Sequence, residues 1–177
     1  MRYFLIKVDP IYTSAPDVRD FNRHLDKKHL TKEEHYKIKN RFLITVEPQN
    51  KTIFTDVCVT PSFMVTGKLK SVIDLYIPKT VYKEVVLLDQ KNSKVETYYL
   101  PILPQVDCLT IESELLPNNL GVKKIVLDLE KANNYSLFRI AHLINDYFIV
   151  RLDMAESILR RGAIGVHLEE VSIRREK

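Results

Sequence analysis

Apolar positions along the chain follow two periods, and the switches between them mark out its elements. "RYFLIKV" mixes aromatic and β-branched residues and stops at Asp9-Pro10, which predicts a strand followed by a break. "RFLITVEP" and "TIFTDVCVT" read as strands on either side of the turn-rich "EPQNK". After Pro61, "FMV" is a short strand. Leu69, Val72, Ile73 and Tyr76 in "GKLKSVIDLY" then fall at i, i+3, i+4 and i+7, one apolar helical stripe. "IPKT" ends that helix, because proline disfavours helical backbone in the residue before it. "VYKEVVLLD" and "VETYYLPIL", joined by "QKNSK", predict an antiparallel hairpin.

The closing third, through "VKKIVLDLE" and "LFRIAHLI", ends on the same grammar. "YFIV" is a strand, and "DMAESILRR" is a helix with Met154, Ile158 and Arg161 on one side. Asp153 serves as N-cap or first-turn acid, and Arg160-Arg161 sit favourably at the negative end of the helix dipole. Gly162 takes a left-handed C-cap before "IGVHLEEVSI" returns as a strand. Phe63 and Phe148 are 85 positions apart, and at that offset "FMV" lies under "FIV", Leu69 under Met154 and Ile73 under Ile158. With one additional residue in the second copy, "KEVVL" lies under "EEVSI". Identity between the copies is low, and two ordinary units of this kind can also look alike by chance. The expected class is α+β: mixed, largely antiparallel sheets with two short amphipathic helices in a repeated strand–helix–strand unit. At 177 residues this is one domain, or two small lobes of about 1–110 and 111–177 sharing one core.

Residues 19–41 break the pattern. "RDFNRHLDKKHLTKEEHYKIKNR" is crowded with charge and poor in large apolar side chains, which reads as a solvated insertion or, alternatively, a binding loop. Thr31 with Glu34 three residues on has the form of a capping box, so a short helix is expected there. Net charge is +4, a mild excess that only weakly suggests nucleic acid. Cys58 and Cys108 lie in apolar strand-like stretches and read as reduced core thiols, without a disulfide framework or zinc spacing. No apolar run approaches the roughly 20 residues that cross a bilayer, and Lys7 and Asp9 interrupt the first apolar patch too soon for a signal peptide. A cytoplasmic location is therefore expected.

Reactive chemistry leaves little trace. No serine lies in a G-x-S-x-G elbow. His142 and His167 fall in predicted strands, and His24, His29 and His35 are irregularly spaced, so no metal site is expected. Gly67, Gly121, Gly162 and Gly165 are scattered, and "RRGAIG" follows a helix instead of opening one, which removes the phosphate-cradle readings. Neighbouring residues of a strand face opposite ways, so Glu169-Glu170 is a poor acid–base pair. For the same reason one of Tyr98 and Tyr99 is expected in the core and the other at the surface. No cofactor and no catalytic residue are assigned. Candidate partner-contacting residues are Arg23, Lys27, Lys28, Tyr98, Arg160 and Arg161; candidate structural-motif residues are Phe148, Gly162, Gly165 and Glu170.

"FTDVCVTPSFMVTGKLKSVI", "KEVVLLD", "TYYLPILPQVDCLT" and "FIVRLDMAESILRRGAIGVHLEEV" together resemble an immunity-protein family of bacterial polymorphic-toxin systems, the eleventh numbered one and a former domain of unknown function. The matching positions are Tyr98, Tyr99, Asp107, Cys108, Leu109, Gly162, Gly165, Val166, Leu168, Glu170 and Val171, within a span from Phe54 to Val171. The chain has no tryptophan, so any tryptophan-based family feature is missing. The resemblance implies a non-enzymatic protein that binds a cognate toxin domain and occludes it; the lack of a membrane-length apolar run argues against a membrane partner, and nucleic acid is the lesser expectation. A basic chain does not mimic nucleic acid, so an acidic toxin surface, or inhibition away from a nucleic-acid groove, is expected. The alternative is a nucleic-acid-associated protein using residues 19–41 and the tail "RREK"; a hydrolase whose site assembles from distant positions is the third reading.

Overall fold

The computed structural model describes residues 1–174. The chain begins with β1 (Tyr3–Val8), crosses a short helix α1 (Phe21–His24), and continues through β2 (Arg41–Thr45), β3 (Val57–Cys58) and β4 (Met64–Thr66). Helix α2 (Gly67–Tyr76) leads to the long hairpin β5 (Tyr82–Asp89) and β6 (Lys94–Pro101). Short strands β7 (Gln105–Val106), β8 (Glu114–Leu115), β9 (Val122–Lys124) and β10 (Val126–Asp128) precede helix α3 (Leu129–Ala132). β11 (Leu137–Ile140), β12 (Phe148–Arg151), helix α4 (Leu152–Arg160) and β13 (Val166–Arg174) complete the fold. The class is α+β, with two mixed, mostly antiparallel sheets, the first ordered β2-β5-β6-β4-β3 and the second β10-β13-β1-β12-β11-β7, and a small two-stranded sheet β8-β9.

Leaving aside β7, which adds to the second sheet parallel to β11, these two orders are the same five-stranded pattern. β2 runs parallel to β5 as β10 does to β13, and the other neighbours are antiparallel in both. α2 and α4 each connect two parallel strands that flank one antiparallel strand, β6 in the first sheet and β1 in the second. The registers agree residue for residue. Val65 opposes Tyr99 as Val150 opposes Phe4, and Glu84 opposes Tyr99 as Glu170 opposes Phe4. The repeat seen in sequence is thus a repeat of whole sheets, but the second copy takes its central strand from the start of the chain. A division at about residue 110 misses this, because β1 is built into the sheet of the C-terminal strands.

Three apolar layers result. The central one joins the sheets: Leu69, Val72 and Ile73 of α2 and Met154, Ala155 and Ile158 of α4 pack with Phe63, Phe148, Val65 and Val150. Arg161, expected on the apolar side of α4, is exposed instead; the helical stripe ends at Ile158. Tyr76 of α2 donates its hydroxyl to the Asp153 carbonyl of α4 at 2.9 Å and meets Ser157 at 2.7 Å. Asp153 acts as a first-turn acid, accepting from the Met154 amide and from Arg151. The outer face of the first sheet is covered by Val18, Phe21, Leu25, Leu30 and Ile38, so the charged segment contributes a core layer and is no mere solvated insertion. The outer face of the second sheet is covered by residues of the 106–135 stretch, including Cys108 and Ala132.

The loop Gly162–Gly165 locks the second helix unit to the first sheet. Gly162 has φ +62 and caps α4 as expected; Gly165 has φ +73, where a side chain is strained. A Cβ on Gly165 would stand 2.3 Å from Thr55 Cγ2, so the chains approach closely there. Beside it, Asp56 accepts from the Ile164 amide at 2.6 Å, Lys68 at 2.8 Å and the Thr66 hydroxyl at 2.6 Å. Burial alone would raise the Asp56 carboxyl, but these donors outweigh it and hold its pKa below the ordinary carboxylate value. No helix of the described residues is long and apolar enough to cross a membrane.

Candidate interaction surface

Residues 19–41 hold eight Lys/Arg against four Asp/Glu, so they carry the whole formal excess of +4 found in the chain. Their local structure is a series of single turns: α1, then 3-10 turns at Lys27–His29 and His35–Lys37. The expected capping box forms by half. Thr31 Oγ1 accepts from the Glu34 amide at 3.2 Å, but the Glu34 carboxylate turns to Lys37 at 2.6 Å and His29 Nδ1 at 2.7 Å. Those two partners, Lys37 first, hold the Glu34 carboxyl below its usual value. The segment is anchored at both ends: buried Lys83 of β5 donates to the Ile38 carbonyl at 3.0 Å, and Lys27 reaches Asp146 at 3.3 Å beside Arg139.

Most of these cations are engaged. Arg19 pairs with Asp17, Arg23 with Asp20, Lys27 with Asp146, Lys28 with Asp26, Lys37 with Glu34 and Arg41 with Glu84. A backbone-tracking nucleic-acid groove needs cations free to replace counterions, and six of the eight here already face a carboxylate. Of the tail invoked for the same reading, residues 175–177 lie outside the described residues, and Arg174 pairs with Glu112.

Between this segment and the main body lies a cleft of about 620 Å3. Its floor is apolar, from Ile77, Val81, Ile102 and Leu103; its rim carries Lys32, Glu33 and Lys79. Lys32 and Lys79 have no ion-pair partner among the described residues. Lys79 stands at φ +72 in the turn after α2, a left-handed position uncommon for a residue with a side chain. His35 also lines the cleft, and its Nδ1 is buried without a hydrogen-bond partner.

The six residues expected to contact a partner do not form one surface. Tyr98 is fully buried and donates its hydroxyl to the Thr55 carbonyl at 2.6 Å, so it is a core anchor and not an interface residue. It occupies the place of Tyr3, equally buried, whose hydroxyl donates to the Ala132 carbonyl at 2.8 Å. Tyr99 is the partly exposed member of the pair and packs on Tyr82. Arg23, Lys27 and Lys28 belong to the charged segment. Arg160 and Arg161 end α4, where Arg161 donates to the Ser157 carbonyl and Arg160 reaches Glu156. No hydrogen bond or ion pair among the described residues links the two groups.

The motif residues are structural. Phe148 lies in the central layer, the two glycines hold the interlocking loop, and Glu170 makes a two-pronged pair with Arg2 on the surface. His142, expected in a strand, sits in a bend at φ +62; β11 ends at Ile140. Burial pushes the Cys58 thiol up to about 11, and burial together with the charge of Asp107 pushes Cys108 to about 12. Both thiols are free and buried. Among the described residues no group of three His, Cys, Asp or Glu side chains is placed to hold a metal ion. No known family model matches the chain, and no curated protein matches it.

Proposed function

We propose that this chain is a non-catalytic immunity protein that neutralises a cognate toxin by occluding it, with the cleft beside residues 31–35 as the contact surface. The observation that carries the mode of action is the cleft itself: an apolar floor edged by Lys32 and Lys79, which have no ion-pair partner among the described residues, suited to an acidic, apolar-tipped loop. The toxin as partner comes from the resemblance of the strand–helix–strand blocks and the Gly162–Val171 motif to the immunity family. Burial that keeps both thiols protonated removes cysteine as the nucleophile of a competing hydrolase reading. Association through the rim cations Lys32 and Lys79 weakens with salt.

The test is co-expression with the toxin domain encoded beside this chain. Wild-type protein protects the cell and forms a stable complex, and the double change K32E/K79E weakens binding about tenfold or more by reversing the rim. A neighbouring gene product that is not toxic, or a toxin that neither binds nor is silenced, would overturn the reading.

A further inference from the structure

The repeated sheets differ at one edge. In the second sheet, edge strand β10 is paired on its outer side: the Thr110 amide donates to the Val126 carbonyl at 3.0 Å and the Asp128 amide to the Cys108 carbonyl at 2.7 Å. Leu109 opposes Leu127 as an antiparallel bridge, and the Ser113 hydroxyl takes the Val126 amide. The register makes β2 the counterpart of β10, because Val126 opposes Ser172 as Leu43 opposes Val86. On β2, the Asn40 carbonyl and the Val46 amide bond to β5, which by the alternation of a parallel ladder turns Arg41, Leu43 and Thr45 outward. Among the described residues these three amides and carbonyls have no partner; only Glu47, past the strand end, is bonded, to the Asp17 carbonyl. Leu43 is 60% exposed and continues across Val86 and Leu88 to Val95, itself 59% exposed, as one apolar strip of the open sheet face.

We propose that the β2 edge is a strand-docking site that accepts an antiparallel, acidic-apolar segment of a partner protein. An open edge is the usual template for such addition, with main-chain bonds giving affinity and alternate side chains giving selectivity. The chain shows the mode within itself, since "DCLTIES" (Asp107–Ser113) fills the equivalent edge with apolar Leu109 and with Glu112 paired to Arg174. Acidity is set by exposed Lys39 on the approach to β2, which has no ion-pair partner among the described residues, whereas Lys37 and Arg41 beside it are held by Glu34 and Glu84. The site rests on the reading of the chain as a partner-binding protein and adds how the partner is held.

The experiment uses the whole protein and a nonapeptide of the sequence 106–114 with Cys108→Ser. Addition of peptide slows hydrogen exchange at the Leu43 and Thr45 amides about tenfold, with no change in the β5 ladder. Leu43→Pro removes one outward amide while sparing the bonds to β5, and abolishes binding; if that variant does not fold, the exchange map of the wild-type protein decides. Replacing Asp107 and Glu112 of the peptide by Asn and Gln weakens binding severalfold. No protection at millimolar peptide, protection away from β2, or indifference to the acid replacements overturns the proposal. So does protection of the same amides without peptide, rising with protein concentration alongside a dimer mass, which would make a second copy the occupant. No toxin enters this assay, so its failure leaves the occlusion reading standing, and failure of the toxin assay leaves this one interpretable.

Discussion

Phe63 and Phe148, 85 positions apart in the chain, meet in the central layer with ring centroids 4.7 Å apart and planes tilted by 32°. They hold the same place in the two units, each one residue before or at the start of the strand that feeds its helix. The internal relation of the sheets therefore passes through this contact. Phe63→Ala or Phe148→Ala is expected to cost about 3–5 kcal/mol in chemical denaturation. The double mutant should show a coupling of about 1 kcal/mol, and additive single effects would mean that the rings do not act as a pair.

Gly162 and Gly165 separate backbone strain from crowding. Both have positive φ, but a Cβ at Gly162 meets nothing within 4 Å whereas at Gly165 it meets Thr55. Gly162→Ala should lower stability by about 1 kcal/mol, and Gly165→Ala by about 3 kcal/mol or more. Trimming the neighbour, in G165A with Thr55→Ser, should recover part of the larger loss.

Asp56 links the two units by charge. Its pKa is depressed in the folded chain relative to the ordinary 3.8, so its contribution is complete above that value and fades as pH falls through the lower folded pKa. Melting temperature measured below about pH 4 should fall less steeply in Asp56→Asn than in the wild-type protein. At neutral pH the same change should cost about 2 kcal/mol, because the Ile164 amide and Thr66 hydroxyl lose a charged acceptor.

Cys58 and Cys108 should resist a thiol reagent at pH 8 until the chain unfolds. Burial keeps both thiols protonated and shielded. Titration before and after denaturant should count none and then two; rapid labelling of the native protein would show that the layers open readily.

Tyr3 and Tyr98 provide the sharpest check of equivalence. Each is buried and gives its hydroxyl to one main-chain carbonyl in the layer covering its sheet. Tyr3→Phe and Tyr98→Phe should each cost about 1 kcal/mol, since a carbonyl is left unpaired in the same setting.

Local periodicity made the helices and the long hairpin legible: the stripe Leu69, Val72, Ile73 is buried as its spacing requires. The 85-residue repeat was also legible, but its extent was not. "YFLI" at Tyr3 and "YYLP" at Tyr98 are the matching central strands, and they escape a search at one offset because the second copy borrows its strand from the other end of the chain. Residues 19–41 misled through composition: Phe21, Leu25, Leu30 and Ile38 are few, yet single turns suffice to aim them at one sheet face. Tyr98 was assigned to the surface because alternation says that one of two neighbours is buried and leaves open which. The cleft could not be read at all, since it is made by three stretches that only the fold brings together.

The placement of β1 between β12 and β13 has a consequence for how the chain is made. Tyr3–Val8 are made before β2 to β6, and their sheet neighbours β12 and β13 after them. The sheet of β2 to β6 can close before β12 and β13 are made, whereas the other must wait with a bare hydrophobic strand until those two strands emerge. Moving that strand to follow β13, by joining the ends and opening the chain at Asp9-Pro10, would turn each half into a contiguous unit and should quicken refolding.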